Sequence, residues 1–572
     1  MGPSASAAVN NVTPVDKRMV KLARAKSLRQ ERATWIPRYR EISEFLLPFS
    51  GRYFTQDRNK GNKSFNSIYD SSATRAARIL SAGLMAGVTS PARPWFRLAT
   101  ADPKLDEVSA VKQWLADVAQ LMRDIFAKSN TYRALHTSYE ELGAFGTGAI
   151  LLDDNFDTVI WQTPLTAGEY SIGVNHLGKV DTVAREFEMT VAQMVDKFGY
   201  TNCSAAVRAL YDNKRSYDVW IPVVHLIEPR ALADRAANSP RAKDMLFAST
   251  YFELGAKEDQ FLRESGYPEF PGLCPRWNTR GGDIYGNGPG FEALCDIKQL
   301  QHEQLRKAQG IDYMTRPPLQ MPTGLKGMEA NTLPGGVVYF DSTGPSNKIQ
   351  TLFDVNLDLE HLRADISDVQ GRIDKAFYAD LFLLLAGEDP QRGVQPITAY
   401  EVAELKEEKL LMLGPVLERL HDELLSPLID IAFSKIVAAG ILPVVPPELS
   451  NMELSVQFIS VLAQAQKAVG LQAFDRVLGY VANVAQFKPE IVDKIDTDEL
   501  IDQASDMLGV DPKIIVADDK VVLIRAARAK QQQQAQQAEQ AQQAAQAAAH
   551  LGSVSTVQPN LATDTMKALT GY

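Results

Sequence analysis

Apolar residues recur at intervals of three and four from Leu359 through Leu362, Ile366, Val369, Ile373, Phe377 and Leu381. That spacing places them on one face of a helix. The opposite face carries Glu360, Asp365, Asp368, Arg372, Asp374 and Lys375, so one side is packed and the other wet. The pattern predicts one continuous helix over Leu357–Leu385, a rod of roughly 40 Å at 1.5 Å per residue. Gly387-Glu-Asp-Pro-Gln-Arg-Gly-Val-Gln-Pro396 then stops it with glycines and prolines. Thr398, with Glu401 three residues on, forms a capping box that restarts a helix running to about Gly440. Two long helices joined by a charged loop need neighbours; they are not the pattern of an active site.

The remaining chain surrounds this pair with mixed elements. Asp16 to Leu47 reads as helical and basic, with Lys17, Arg18, Lys21, Arg24, Lys26, Arg29, Arg32, Arg38 and Arg40 interleaved with apolar positions. This basic face is either solvated or a contact with DNA or an acidic partner. Pro48–Asn66 is a loop, and Asp70 is the predicted N-cap of a helix rich in small residues. Residues 106–129 and 131–145 give two more amphipathic helices. After Phe145-Gly-Thr-Gly148 the period changes to two. Ala149–Leu152, Val159–Trp161, Tyr170–Val174, Val183–Phe187, Asp218–Glu228 and Leu246–Leu254 read as strands of an antiparallel sheet, with a helix at Thr190–Phe198. A helix from Phe291 to Tyr313 and short strands to about Phe353 precede the first rod. The regular alternation of a nucleotide-binding α/β sheet is missing, so the fold class is α+β, predominantly helical. Gln531–Ala549 is almost entirely glutamine and alanine. Such a stretch is either a helix needing other copies to pack on or a loose tail.

Composition narrows the options. At 572 residues the chain has room for several domains, and its formal charge of −10 argues against non-specific coating of nucleic acid. Cys203, Cys274 and Cys295 stand far apart without a CxxC, which suits a reducing compartment and offers neither disulfide framework nor zinc site. No apolar run of membrane-spanning length and no secretory signal is visible, so the chain is expected to be made as a soluble cytosolic protein, with no membrane partner.

Candidate chemistry is sparse. Gly286-Asn-Gly-Pro-Gly290 before a helix resembles a phosphate loop, but Phe291 stands where the third glycine belongs, and the favoured reading is a strained turn into a helix. Nothing matches GxxxxGK[ST], HExxH or GxSxG. Asp153-Asp154 and Asp518-Asp519 suit turns and caps better than Mg²⁺. The expectation is no catalytic residue, no metal and no cofactor.

Four stretches taken together carry a resemblance. They are Asp70-Ser-Ser-Ala-Thr-Arg-Ala-Ala-Arg-Ile-Leu-Ser-Ala-Gly-Leu84, Ser90-Pro-Ala-Arg-Pro-Trp-Phe96, Ile284-Tyr-Gly-Asn-Gly-Pro-Gly290, and Ile397-Thr-Ala-Tyr-Glu-Val402 with Leu413-Gly-Pro-Val-Leu-Glu-Arg-Leu420. In order and spacing they resemble the head-to-tail connecting (portal) proteins of short-tailed double-stranded DNA bacteriophages, over about residues 20–510.

The resemblance implies a ring of twelve subunits at one capsid vertex, present in the virion and assembled in the host cytoplasm. It implies a flexible N-terminus (1–15), wing (16–290), descending stem helix (291–313), clip (314–356), ascending stem helix (357–386) and tunnel loop (387–397). A long kinked helix (398–449), bent at Pro415 and Pro427, would return to the wing. A crown (450–515), a Gln/Ala-rich helical barrel (516–550) and a flexible tail (551–572) would complete the chain. The implied DNA-facing residues are Glu388, Asp389, Gln391, Arg392 and Gln395. Arg316, Gln320, Lys326, Asp341 and Lys348 are the implied partner-binding residues of the clip. Implied partners are further copies of the chain, double-stranded DNA, the large terminase subunit, head–tail adaptor and tail proteins, and the major capsid and scaffolding proteins. A channel of this kind should hold its polyanion weakly, because each firm phosphate contact would slow passage. The rival readings are a packaging motor or nuclease subunit and a helical scaffold that forms no channel.

Overall fold

The computed structural model describes residues 16–54, 67–100, 108–231, 241–256, 260–322, 337–340, 350–352, 358–385, 412–449, 454–458 and 518–552, with isolated positions between them. The fold is mixed α/β with helix predominating, and the chain divides into two units. Residues 1–96, 120–442 and 458–487 form the larger, and 97–119, 443–457 and 488–572 the smaller.

In the larger unit, α1 (Lys17–Arg32) and α2 (Ile36–Phe45) are followed by α3 (Ser72–Val88). β1 (Phe96–Thr100), but for its first residue, and the first half of α4 (Ser109–Lys128) belong to the smaller unit, and α5 (Thr131–Phe145) follows in the larger. The strands β2 (Ala149–Asn155), β3 (Val159–Leu165), β4 (Tyr170–Val174) and β5 (Val180–Thr190) lead to α6 (Val191–Phe198) and α7 (Ala205–Asp212). Strands β6 (Trp220–Pro229), β7 (Phe247–Glu253), β8 (Arg263–Tyr267) and β9 (Gly272–Leu273) complete two sheets. One is five-stranded and antiparallel in the order β4-β5-β6-β7-β8, and the other has the order β3-β2-β9. Successive side chains of the five-stranded sheet point to opposite faces, and its centre is covered on both.

Each face has its own cover. Leu22, Ala25 and Leu28 of α1 pack on Ala184, Val224, Leu226 and Phe252. On the other face Val191, Met194 and Phe198 of α6 cover Val223 and Tyr251, while Leu151 and Leu165 of the smaller sheet meet Ile172, Val183 and Ile227. Thr190 and Gln193 close a reciprocal capping box at the start of α6.

Part of the basic face of α1 is turned to the chain itself, while Lys17 and Lys26 stay exposed. Lys21 and Arg24 pair with Glu228, and Arg29 reaches Glu186 at 2.9 Å. The buried guanidinium of Arg18 donates to the Glu253 carbonyl, and that of Arg32 to the Tyr170 carbonyl. These cations neutralise acids on the sheet that α1 covers.

The helical layer follows. A short turn, α8 (Pro289–Glu292), runs into α9 (Leu294–Thr315). A small sheet then holds β10 (Leu319–Pro322) between β11 (Val337–Phe340), parallel to it, and β12 (Gln350–Thr351), antiparallel. The chain returns as α10 (Leu359–Ala376) and α11 (Ala379–Leu385). The expected single rod is thus interrupted. Tyr378 takes a left-handed backbone, φ 54°, which costs a non-glycine residue about 1–2 kcal/mol. The break keeps Ile373 and Phe377 buried and seats the Phe382 ring directly on Gly83 of α3, where a Cβ would lie 2.2 Å from the ring.

A helix over 412–420 continues through a π turn, His421–Leu425, into α12 (Ser426–Ala438). The π turn immediately precedes Pro427, whose missing N–H and ring disfavour a regular α bond to Glu423. In the smaller unit β1 pairs with β13 (Leu454–Phe458), and the Gln/Ala-rich stretch is one helix, α13 (Asp518–Gly552), whose described side chains are exposed from Val522 onward.

Candidate functional site at the root of the helix pair

Arg372, near the end of α10, meets Asp296 and Gln299 at the start of α9, so the two helices run antiparallel. Their root is held by one carboxylate. Oδ1 of Asp70 accepts from the Ser72 N–H at 2.8 Å and from its hydroxyl. Oδ2 accepts from Gln304 of α9 at 2.8 Å and Gln370 of α10 at 2.9 Å. Gln301, almost fully buried, accepts from the Tyr69 and Asp70 N–H groups and donates to the Asp70 carbonyl. Partial burial opposes ionisation of Asp70, but the bonds from Ser72, Gln370 and Gln304 prevail and hold its carboxyl below the usual range. Asp70, expected as a helix cap, therefore caps from one residue further out and ties three helices together. Ser71 occupies the N-cap position itself.

Away from this root the pair is bare. The buried residues of α9 are Leu294, Ile297, Leu300 and Gln301, all in its first half, and Ile311 and Met314 are about 40% exposed. On α10 the described buried positions begin at Ile366. Arg316, a predicted clip residue, is the exposed C-cap of α9, and Gln320 lies on β10 in register with Val338 and Gln350. Lys326, Asp341 and Lys348 fall outside the described residues. So do all the predicted DNA-facing positions, Glu388, Asp389, Gln391, Arg392 and Gln395.

The glycine-rich stretch before α9 is a close approach rather than the strained turn expected. Gly286, Gly288 and Gly290 all keep ordinary backbone angles. A Cβ on Gly286 would lie 2.3 Å from the Gly146 carbonyl oxygen, and one on Gly290 2.1 Å from that of Ala144. The last turn of α5 fills the space a phosphate would need. Phe291 packs edge-on against Trp35 and Tyr39, which accounts for an aromatic where a dinucleotide loop has glycine.

A second tether was not foreseen from the sequence. Arg276, 6% exposed, grips Glu423 of the π turn through Nε and a terminal nitrogen, while its backbone N–H donates to the same carboxylate at 2.9 Å. Its remaining donors reach the carbonyls of Gly178 and Ile284. Arg419 donates to the Thr279 hydroxyl, and Lys435 pairs with Asp154 at 2.7 Å. The helix that follows residues 386–411 is thereby fastened to the loop leading into α9. Among the described residues no group of acidic, histidine and cysteine side chains is placed to hold a metal, and no helix is long and apolar enough to cross a membrane.

The sequence profile described as "Bacteriophage head to tail connecting protein" matches residues 21–516. The chain belongs to that family. It is 54% identical over 557 residues to the "Probable portal protein" of Bordetella phage BPP-1, covering 97% of this chain and 99% of the relative. It is 42% identical over 510 residues to the "Portal protein" of Salmonella phage epsilon15, covering 89% and 90%. A chain from the virion of a native gene transfer agent particle aligns with 70% of this chain and 94% of its own, at 11% identity and a TM-score of 0.30. That likeness is too low for a fold argument. In this head-to-tail connecting chain, the Asp70 and Gly286–Gly290 motifs that carried the resemblance are the residues at the root of the helix pair.

Proposed function

We propose that this chain is a portal subunit, twelve copies of which form a ring at one capsid vertex through which double-stranded DNA enters and leaves. The observation that carries the reading is near-full-length identity to relatives named as portal proteins. Further support comes from α9 and α10, whose exposed halves leave Ile311 and Met314 for other copies to cover. On this reading α9 and α10 are the two stem helices, and the sheet β10–β12 belongs to a clip that meets the terminase motor and later the tail adaptors. The loop bearing Glu388, Asp389, Gln391, Arg392 and Gln395 faces DNA. One arginine per subunit makes a ring of charge, and the acidic neighbours keep the duplex from binding firmly.

Negative-stain microscopy and native mass spectrometry of the purified protein test the reading. Rings with a central hole and a mass of about twelve subunits are expected. Monomers, or assemblies without a hole, overturn it. ATP hydrolysis above background by the protein alone would favour a motor subunit instead.

A further inference from the structure

Glu141 lies on α5 and is 4% exposed, yet no lysine or arginine forms an ion pair with it among the described residues. Its oxygens accept from the Thr166 hydroxyl at 2.7 Å and the Ala167 N–H at 3.0 Å, with a further bond from the Ser50 side chain. Those donors come from two separate segments, residues 47–54 and the turn 165–168. Thr166 also joins the two directly, since its hydroxyl accepts from the Gly51 N–H at 2.6 Å, and the Arg52 N–H donates to the Ala167 carbonyl at 2.7 Å. Both segments carry a glycine in the left-handed region, Gly51 at φ 79° and Gly168 at φ 89°, and a Cβ on Gly168 would strike the Arg52 carbonyl.

The neighbouring charges leave Glu141 alone. Arg52 of the 47–54 segment turns to Glu169, which also takes Arg185 of β5. Glu140 on its own helix repels it, and Tyr170 of β4 is neutral near pH 7. Tyr53 turns its hydroxyl to the Tyr39 carbonyl of α2.

We propose that Glu141 is a proton-operated latch that fastens residues 47–54 to the turn at 165–168 when neutral and loosens them when ionised. Burial without a cation pushes its carboxyl up from 4.5 to about 7, with Thr166, Ala167 and Ser50 only partly offsetting this. The closed latch therefore binds the proton more firmly than the open one. Closure is favoured fully below pH 4.5, weakens as the pH rises to about 7, and is constant above that.

Hydrogen exchange read by mass spectrometry on the full-length protein from pH 5 to 8, corrected for intrinsic chemical exchange, tests this. Opening of peptides covering 47–54 and 165–168 is expected to rise on the order of tenfold per pH unit up to about pH 7 and then level off. Peptides of β5 and β6 serve as controls and stay flat. In Glu141→Gln the pH dependence disappears from both segments. In Thr166→Ser, which keeps the hydroxyl, it remains. A wild-type profile without pH dependence, or dependence that survives in Glu141→Gln, overturns the proposal; should that variant not fold, the wild-type profile decides alone.

Discussion

The sheet around β5 and β6 and the distal half of the α9–α10 pair handle their side chains in opposite ways. On the sheet nearly every charge finds a partner inside the chain: Glu186 and Glu228 are met by α1, and Glu169 by Arg52 and Arg185. Beyond the Asp70 root, α9 and α10 keep charged and apolar side chains in water within one copy. The acids of the sheet are met within one copy, whereas the distal half of the helix pair leaves its charges and Ile311 and Met314 exposed. A long amphipathic helix gains its stability chiefly from what its apolar face packs against, and among the described residues no side chain of α9 past Gln304 is buried.

That contrast is exposed to three further tests. Arg276→Ala should have the largest effect, because it leaves the partly buried Glu423 with only a backbone N–H for a partner, a loss of about 3 kcal/mol, the low end of the range for a broken buried pair. Urea unfolding of the purified protein would show it as a lower midpoint, and an unchanged midpoint would contradict the tether. Asp70→Asn should cost less, roughly 1–3 kcal/mol, since an amide cannot accept from Ser72, Gln304 and Gln370 together. The Asp70 carboxyl is held below its usual range, so its contribution is present above that range and fades as the pH falls through the folded value. The difference between wild type and Asp70→Asn in thermal melts should therefore narrow in acid. Ile311→Ser with Met314→Ser should shift the stability of the unassembled subunit least, within about 0.5 kcal/mol. Yet it should shift the native-mass distribution from rings toward smaller species. A large loss of subunit stability there would mean that one copy already packs these side chains.

Much of this was legible in the sequence, for reasons that can be located. Period-two runs such as Tyr170–Val174 gave their strands because alternate side chains, Tyr170 and Ile172, enter the core shared with the smaller sheet. The cations of α1 were visible, but their partners were not, since Glu186 and Glu228 lie more than 150 residues away and the pairing depends on sheet order. Nothing in Phe377-Tyr-Ala-Asp380 signals a break, and tertiary packing of Phe382 on Gly83 overrides a sound helical pattern. Gln301, Gln304 and Gln370 read as ordinary helical glutamines, and only the neighbouring Asp70 marks them. The five loop residues from Glu388 to Gln395 came from resemblance alone, and they remain a proposal.

The π turn at His421–Leu425 has a consequence for how substitutions and length changes would act. One extra residue in a helix advances everything on one side of it by about 100° relative to the other. The apolar stripe of 412–420 and that of α12 are therefore out of phase by design, and both stay buried only because the insertion is there. Removing a single residue between Leu420 and Ser426 would bring the two stripes into phase, so residues 412–420 would keep their orientation to α12 and only the bulge that presents Glu423 to Arg276 would be lost.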